Sequence, residues 1–191
     1  MRGFALAAGV ILAASSSGWA ASGHQHGHGG GHGAGHGASQ DQAAQPYAGM
    51  EQRPIKALSP EEIAGLRDGQ GLGMALPAEL NGYPGPRHVL DMADDLALSP
   101  HQRHQTGEAF AEMKARAADL GVAVIEAERG LDRLFAAGTA DQAAIDEATA
   151  KVASLRGRLR ATHLGYHLLM RQILTAQQVS TYNRLRGYRV E

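Results

Sequence analysis

The stretch SPHQRHQTGEAFAEMKARAADLGVAVIEAERGLDRLFAAGTADQAAIDEATAKVASLRGRLRATHLGYHLLMRQI, Ser99–Ile173, decides the fold. Ahead of Gly138, apolar residues fall at Phe110, Met113, Ala117, Leu120, Val124, Ala127, Leu131 and Leu134, in alternating steps of three and four. Beyond it the alternation resumes through Ile145, Ala148, Val152, Leu155, Leu159, Thr162, Tyr166, Leu169 and Ile173. Such steps keep every residue on one side of a helix. Each helix spans about 35 residues and hence about 50 Å. The few residues around Gly138 leave room only for a tight reversal, so the two form an antiparallel hairpin. One two-helix seam buries little apolar surface. A second hairpin from an identical chain is its simplest complement, and a homodimer is expected.

Helix starts are marked by one device, a hydroxyl residue followed three places later by Glu or Gln, which can close a capping box on two free backbone donors. Four copies are present: Ser59-Pro60-Glu61-Glu62, Ser99-Pro100-His101-Gln102, Thr139-Ala140-Asp141-Gln142 and Thr175-Ala176-Gln177-Gln178. The first opens a short helix that Gly69 and Gly71 end. Pro60 and Pro100 fall at the first helical position, where a missing N–H costs nothing. Gly69–Pro86 is irregular, with Pro77, Asn81-Gly82, Pro84 and Pro86, and a helix over roughly His88–Ala97 follows. Strand patterns are absent. The fold class is therefore all-α: a long helical hairpin with shorter flanking helices.

Towards the N-terminus the character changes. Met1-Arg2, the apolar run Phe4–Ala14 and the small residues through Gly18-Trp19-Ala20 form a secretory signal, with cleavage expected after Ala20. The run is shorter than the roughly 20 residues that span a bilayer, although retention as an anchor stays open. The protein is expected in a bacterial periplasm. Behind the signal, Gly23–Gly37 carries His24, His26, His28, His32 and His36 among glycines. With nothing larger than alanine to pack, residues 21–57 read as a disordered tail and linker, and 58–191 as the helical domain. Imidazoles spaced two apart on a glycine chain can wrap Cu(II), Ni(II) or Zn(II); the alternative is a soluble spacer.

Composition narrows the chemistry further. The 191 residues include no cysteine, ten histidines and only 5% aromatics. Thiolate zinc sites, iron–sulfur clusters, disulfides and cysteine nucleophiles are excluded, so a metal must be held by His, Met or carboxylate. A net charge of −1 recommends neither nucleic acid nor an anionic membrane as partner. Charge is nevertheless segregated: residues 91–150 hold twelve acidic and five basic groups, and 151–191 hold eight basic groups and one acid. Attraction between the hairpin arms explains this; a cationic face with Arg156, Arg158, Arg160 and Arg171, steering acidic or unfolded clients, is the functional alternative.

The segment Glu79-Leu80-Asn81-Gly82-Tyr83-Pro84-Gly85-Pro86, with the boxes Leu98-Ser99-Pro100-His101-Gln102 and Leu174-Thr175-Ala176-Gln177-Gln178, resembles the Spy/CpxP/ZraP/CnrX group of periplasmic proteins. That group comprises small helical-hairpin dimers marked by two LTxxQ motifs. The motif positions here are Leu98, Ser99 and Gln102, then Leu174, Thr175 and Gln178, with Ser replacing Thr in the first. The resemblance covers roughly residues 55–188 and is strongest to members described as heavy-metal sensors. It implies a cradle-shaped homodimer that either senses and sequesters heavy metals or acts as an ATP-independent chaperone for unfolded envelope proteins. A membrane-bound regulator, such as an antisigma factor or a sensor kinase, is an implied partner.

A helix brings residues four apart to one face, so His163 and His167 can share one ion, as can His88 and Met92. Sensors in the group resemble this, with two such pairs and a Glu from the helix between; Glu108 lies where that Glu would fall, with Glu112 beside it. The set His88, Met92, Glu108, His163 and His167 mixes imidazole, thioether and carboxylate and suits Ni, Co, Cu or Zn. One departure stands out: the group's sensors carry His–His on the first helix and His–Met on the last, the reverse of the order here. The alternative for His163 and His167 is a pair of polar positions beside the seam. His101 and His104, in the first turn of a helix, read as solvated and neutral. No nucleophile–base pair or phosphate loop is present, since Gly69-Gln70-Gly71-Leu72-Gly73 follows no strand and lacks the Lys-Ser/Thr ending. A binding protein is expected rather than an enzyme.

Overall fold

The structure is a computed structural model and describes residues 45–188. The expected signal segment, and the tail with His24, His26, His28, His32 and His36, lie outside the described residues. Six α-helices and no strand occur among the described residues: α1 (Pro60–Arg67), α2 (Leu76–Glu79), α3 (Pro86–Asp91), α4 (Pro100–Ala136), α5 (Gln142–Ile173) and α6 (Ala176–Leu185). A single 3-10 turn, Met50–Gln52, precedes them. None of these helices is long and apolar enough to cross a membrane.

Three of the four expected capping boxes close, at Ser59, Ser99 and Thr175, each with both reciprocal bonds in place. The fourth does not. Asp141 caps α5 by accepting from the Ala144 N–H at 2.8 Å, while Thr139 turns back towards the Leu134 carbonyl. A carboxylate at the helix start satisfies the same free donors and complements the dipole, so Asp141 displaces the hydroxyl two residues earlier. The expected helix over His88–Ala97 begins at Pro86 and ends at Asp91, after which turns carry the chain to Leu98. The irregular stretch before it contains the one-turn α2.

Helices α4 and α5 form the antiparallel hairpin, joined through Gly138 in a left-handed conformation (φ +66°). Around its open end the shorter elements build one core from Val89, Leu96, Leu98, Met113, Tyr166, Met170, Leu174, Val179 and Tyr182. Further along, α1 lies on α4 and a second core joins Ile55, Leu58 and Leu66 to Ala117, Val124, Ile125 and Leu159. Ile55, assigned to the linker from sequence, is fully buried, so packing begins before the Ser59 cap.

Close approach of α1 depends on two glycines. A methyl group at Gly121 would stand 2.0 Å from the Leu66 carbonyl oxygen, and one at Gly69 2.4 Å from that of Lys114. Towards Gly138 the cover thins: Lys56 reaches Asp132, but Leu131, Leu134, Ile145 and Val152 of the expected seam are only half-buried, and Phe135 is 60% exposed. Buried Glu128 accepts a two-pronged bond from Arg156 across the hairpin, at 2.6 and 3.1 Å. The opposed charges of the two arms are thus partly spent on each other.

The two LTxxQ-like boxes dock against one another. Gln102 donates to the Ile173 carbonyl and to Gln178 Oε1, both at 2.9 Å. In return Gln178 donates to the Leu96 carbonyl at 3.2 Å and to Gln102 Oε1 at 3.0 Å. Each amide oxygen also accepts the N–H of its own cap residue, Ser99 or Thr175. Both amides therefore have every donor and at least two acceptor positions filled, and the start of α4 is clasped to the α5–α6 corner.

Candidate functional site

Helix α5 sets His163, Tyr166, His167 and Met170 on its buried face, as steps of three and four require. His163 is 3% exposed and His167 7%. Over them passes the chain from α2 to α3. Its Tyr83 carbonyl lies 2.7 Å from His167 Nδ1. A carbonyl can only accept, so Nδ1 carries the proton and, in the neutral ring, Nε2 keeps its lone pair. Gly85 makes room for that edge of the ring: a Cβ there would lie 3.1 Å from His167 Nε2. Gly71 lies beside His163, and a Cβ there would make only ordinary contact with its Nδ1, at 3.9 Å.

The carboxylate of this region is Glu79, at the end of α2 and buried. Tyr182 of α6 donates to its Oε1, and the Tyr188 hydroxyl does so at 3.1 Å. His88 Nδ1 stands 3.4 Å and Arg186 Nε 3.5 Å from the same oxygen. Oε2 lies 3.8 Å from His167 Nδ1 and has no hydrogen-bond partner. Burial and the adjacent carboxylate push the Tyr182 hydroxyl well above the ordinary tyrosine range, so it remains a donor. His163 Nε2 is a second buried atom without a partner. Burial, and then the neighbouring His167, hold the His163 pKa below its ordinary value near 6.5. A neutral imidazole, the form that binds metals, is favoured there.

His88, His163, His167 and Glu79 line one cavity of about 640 Å³, with Met113, Lys114 and Gly71 among its other walls. Two residues of the expected ligand set stand elsewhere. Glu108 is on the solvent side of α4, 3.5 Å from His104 and 68% exposed in its side chain, because α4 turns Met113 rather than Glu108 towards α5. Glu112 is likewise outside, paired with Arg116. Met92 follows the end of α3 and packs with the apolar core around Val89. The carboxylate that does reach the histidines, Glu79, carried no sequence signal: α2 has a single turn, too short for any periodicity. Among the described residues no three His, Asp or Glu side chains stand close enough to hold an ion on their own.

His101 and His104 are exposed, as expected. Arg171 stacks on the Tyr83 ring, 5.4 Å from its centroid, and donates to the Gly82 carbonyl. Of the four arginines expected to form a cationic face, Arg156 is engaged with Glu128, while Arg158 and Arg160 are exposed. Searches against family models, curated proteins and solved structures find no match to this chain.

Proposed function

We propose that the protein binds transition-metal ions (Cu, Ni, Co or Zn) and serves as a periplasmic heavy-metal sensor or resistance protein of the Spy/CpxP/ZraP/CnrX kind. One observation carries the reading: His163 and His167, one turn apart on a buried helix face, share a cavity wall and both have an imidazole nitrogen free of hydrogen bonds. Burying an unpaired polar atom costs about 1–3 kcal/mol, an expense that a ligand reverses. Glu79 takes the carboxylate role that the family resemblance had assigned to Glu108. Its Oε2 has no hydrogen-bond partner and would be free to join the ion, while the Tyr83 carbonyl, which accepts the His167 Nδ1–H, would orient the imidazole behind it. His88 adds a third imidazole at the cavity wall.

Around this site the proposal places a homodimer, in which the half-buried hairpin tip meets a second copy, and an exported chain whose five tail histidines collect metal loosely. A membrane-bound regulator would then read the occupied state. The test is calorimetric titration of Cu(II), Ni(II) and Zn(II) into the full chain with the five tail histidines replaced by Ser. Stoichiometric binding that disappears in His163→Ala/His167→Ala supports the reading; absence of heat from the parent rejects it.

A second activity is favoured by the exposed Phe135 and Val122 on α4 together with the exposed Arg158 and Arg160 on α5. Apolar and cationic groups of this kind would hold unfolded envelope proteins without ATP. Suppression of aggregation of a denatured client by the metal-free protein at low salt is the required result.

A further inference from the structure

We infer that the cavity takes its metal as a complex with a small polycarboxylate chelator, not as a bare ion. The inference rests on the metal-binding reading above and deepens it. Three observations point this way. The first is an incomplete donor set: no three acidic or imidazole side chains among the described residues converge on one point, although transition ions take four to six donors. The second is size. A volume of about 640 Å³ is that of a small-molecule pocket, far more than an ion and a few donors fill.

The third is charge. Lys114 of α4 lines the cavity and has no ion-pair partner among the described residues, where Arg87, Arg186 and Asp68 also contribute walls. Arg87 is held by Asp91 and Arg186 by Glu79, which leaves the Lys114 ammonium to meet an incoming anion. A chelator holding three positions of a six-coordinate ion leaves the others open. His163 and His167 would supply neutral imidazoles to positions that the chelator leaves open, and Lys114 would pair with a free carboxylate arm. Glu79 and Asp68 oppose an anion, which favours binding with the metal centre towards Glu79 and the carboxylates towards Lys114.

The experiment uses the full chain with His24, His26, His28, His32 and His36 replaced by Ser. Three probes are titrated separately in a non-chelating buffer: Ni(II), preformed 1:1 Ni(II)–citrate, and citrate. The expected result is binding of Ni(II)–citrate at least roughly tenfold tighter than either component, from one added charge-assisted contact. His163→Ala/His167→Ala abolishes it. Lys114→Gln lowers the ratio of chelate affinity to Ni(II) affinity, and Lys114→Arg, which keeps the charge, restores it. Equal affinity for Ni(II) and its citrate complex overturns the inference and spares the metal site. Equal affinity for citrate alone makes this an anion site and overturns both. Binding of bare Ni(II) at chelate strength only when the tail histidines are restored assigns the missing donors to the tail, and also overturns it. No binding of any probe sinks the metal-binding reading itself.

Discussion

The reciprocal Gln102–Gln178 clasp yields a prediction whose size can be worked from the hydrogen bonds. Glu serves a capping box as well as Gln does, so Gln178→Glu keeps the Thr175 N–H capped and changes only what the amide NH2 group did. Two donated bonds vanish, to the Leu96 carbonyl and to Gln102 Oε1. At about 0.5–1.5 kcal/mol net each, they account for about 1–3 kcal/mol. A partly buried carboxylate now facing Gln102 Oε1 adds to this. Rotating the Gln102 amide gives no relief, because its NH2 would then face the Ser99 N–H that its oxygen now caps. The expected loss is about 2–3 kcal/mol. At about 2–4 °C per kcal/mol for a chain of this size, Tm falls by roughly 4–12 °C.

Urea unfolding followed by helical circular dichroism measures the loss, at one protein concentration so that any self-association stays constant. A cycle of Gln102→Ala, Gln178→Ala and the double variant isolates the pair, with an expected coupling of about 1–2 kcal/mol from the two direct amide–amide bonds. Stability of Gln178→Glu within about 0.5 kcal/mol of the parent, or a coupling indistinguishable from zero, would refute the claim that the two boxes hold each other.

Four further outcomes are expected. Gly121→Ala drives a methyl group to 2.0 Å from the Leu66 carbonyl, a clash that only backbone movement relieves, so it costs about 3 kcal/mol or more and detaches α1 as read by amide exchange. Gly130→Ala, on the same helix with open space at its Cβ, should stabilise instead, by about 0.5–1 kcal/mol. Because the His163 pKa is lower in the folded than in the unfolded chain, its contribution to stability is whole above about pH 6.5 and is lost as pH falls through the folded value. His163→Leu should flatten that part of the pH–stability curve and, by removing an unpaired buried nitrogen, leave metal-free stability at pH 7 unchanged or higher. Arg156→Ala strands the buried Glu128 carboxylate and should cost about 1–2 kcal/mol, discounted for the partial exposure of Arg156; Glu128→Gln in that background should recover part of it.

Much of the molecule is legible along the chain. Apolar steps of three and four mark α4 and α5, Gly138 marks their reversal, and hydroxyl–Glu/Gln pairs mark the starts of α1, α4 and α6, because these signals act within one or two helical turns and owe little to distant residues. The pairing of His163 with His167 is legible for the same reason. Errors fall where two local signals compete, as at Thr139 and Asp141, or where seam periodicity says nothing about what covers the seam, as at Leu131 and Leu134.

What no local pattern carries is the meeting of segments far apart in sequence. Glu79 comes to His167, 88 positions later, and to Tyr182, 103 positions later, because the Tyr83–Pro86 turn crosses α5 and α6 folds back beside it. Glu108 lies where the family resemblance would put a ligand, yet the rotation of α4 sends it to solvent. Two glutamines that read as separate caps become one clasp, and Gly69 and Gly121 become the seats of a neighbouring backbone. Sequence alone determines helices, caps and the imidazole pair, since hydrogen bonding and side-chain periodicity are local. Which carboxylate joins the histidines, and how large a cavity they enclose, the tertiary structure decides, through the rotation and crossing of helices that packing imposes.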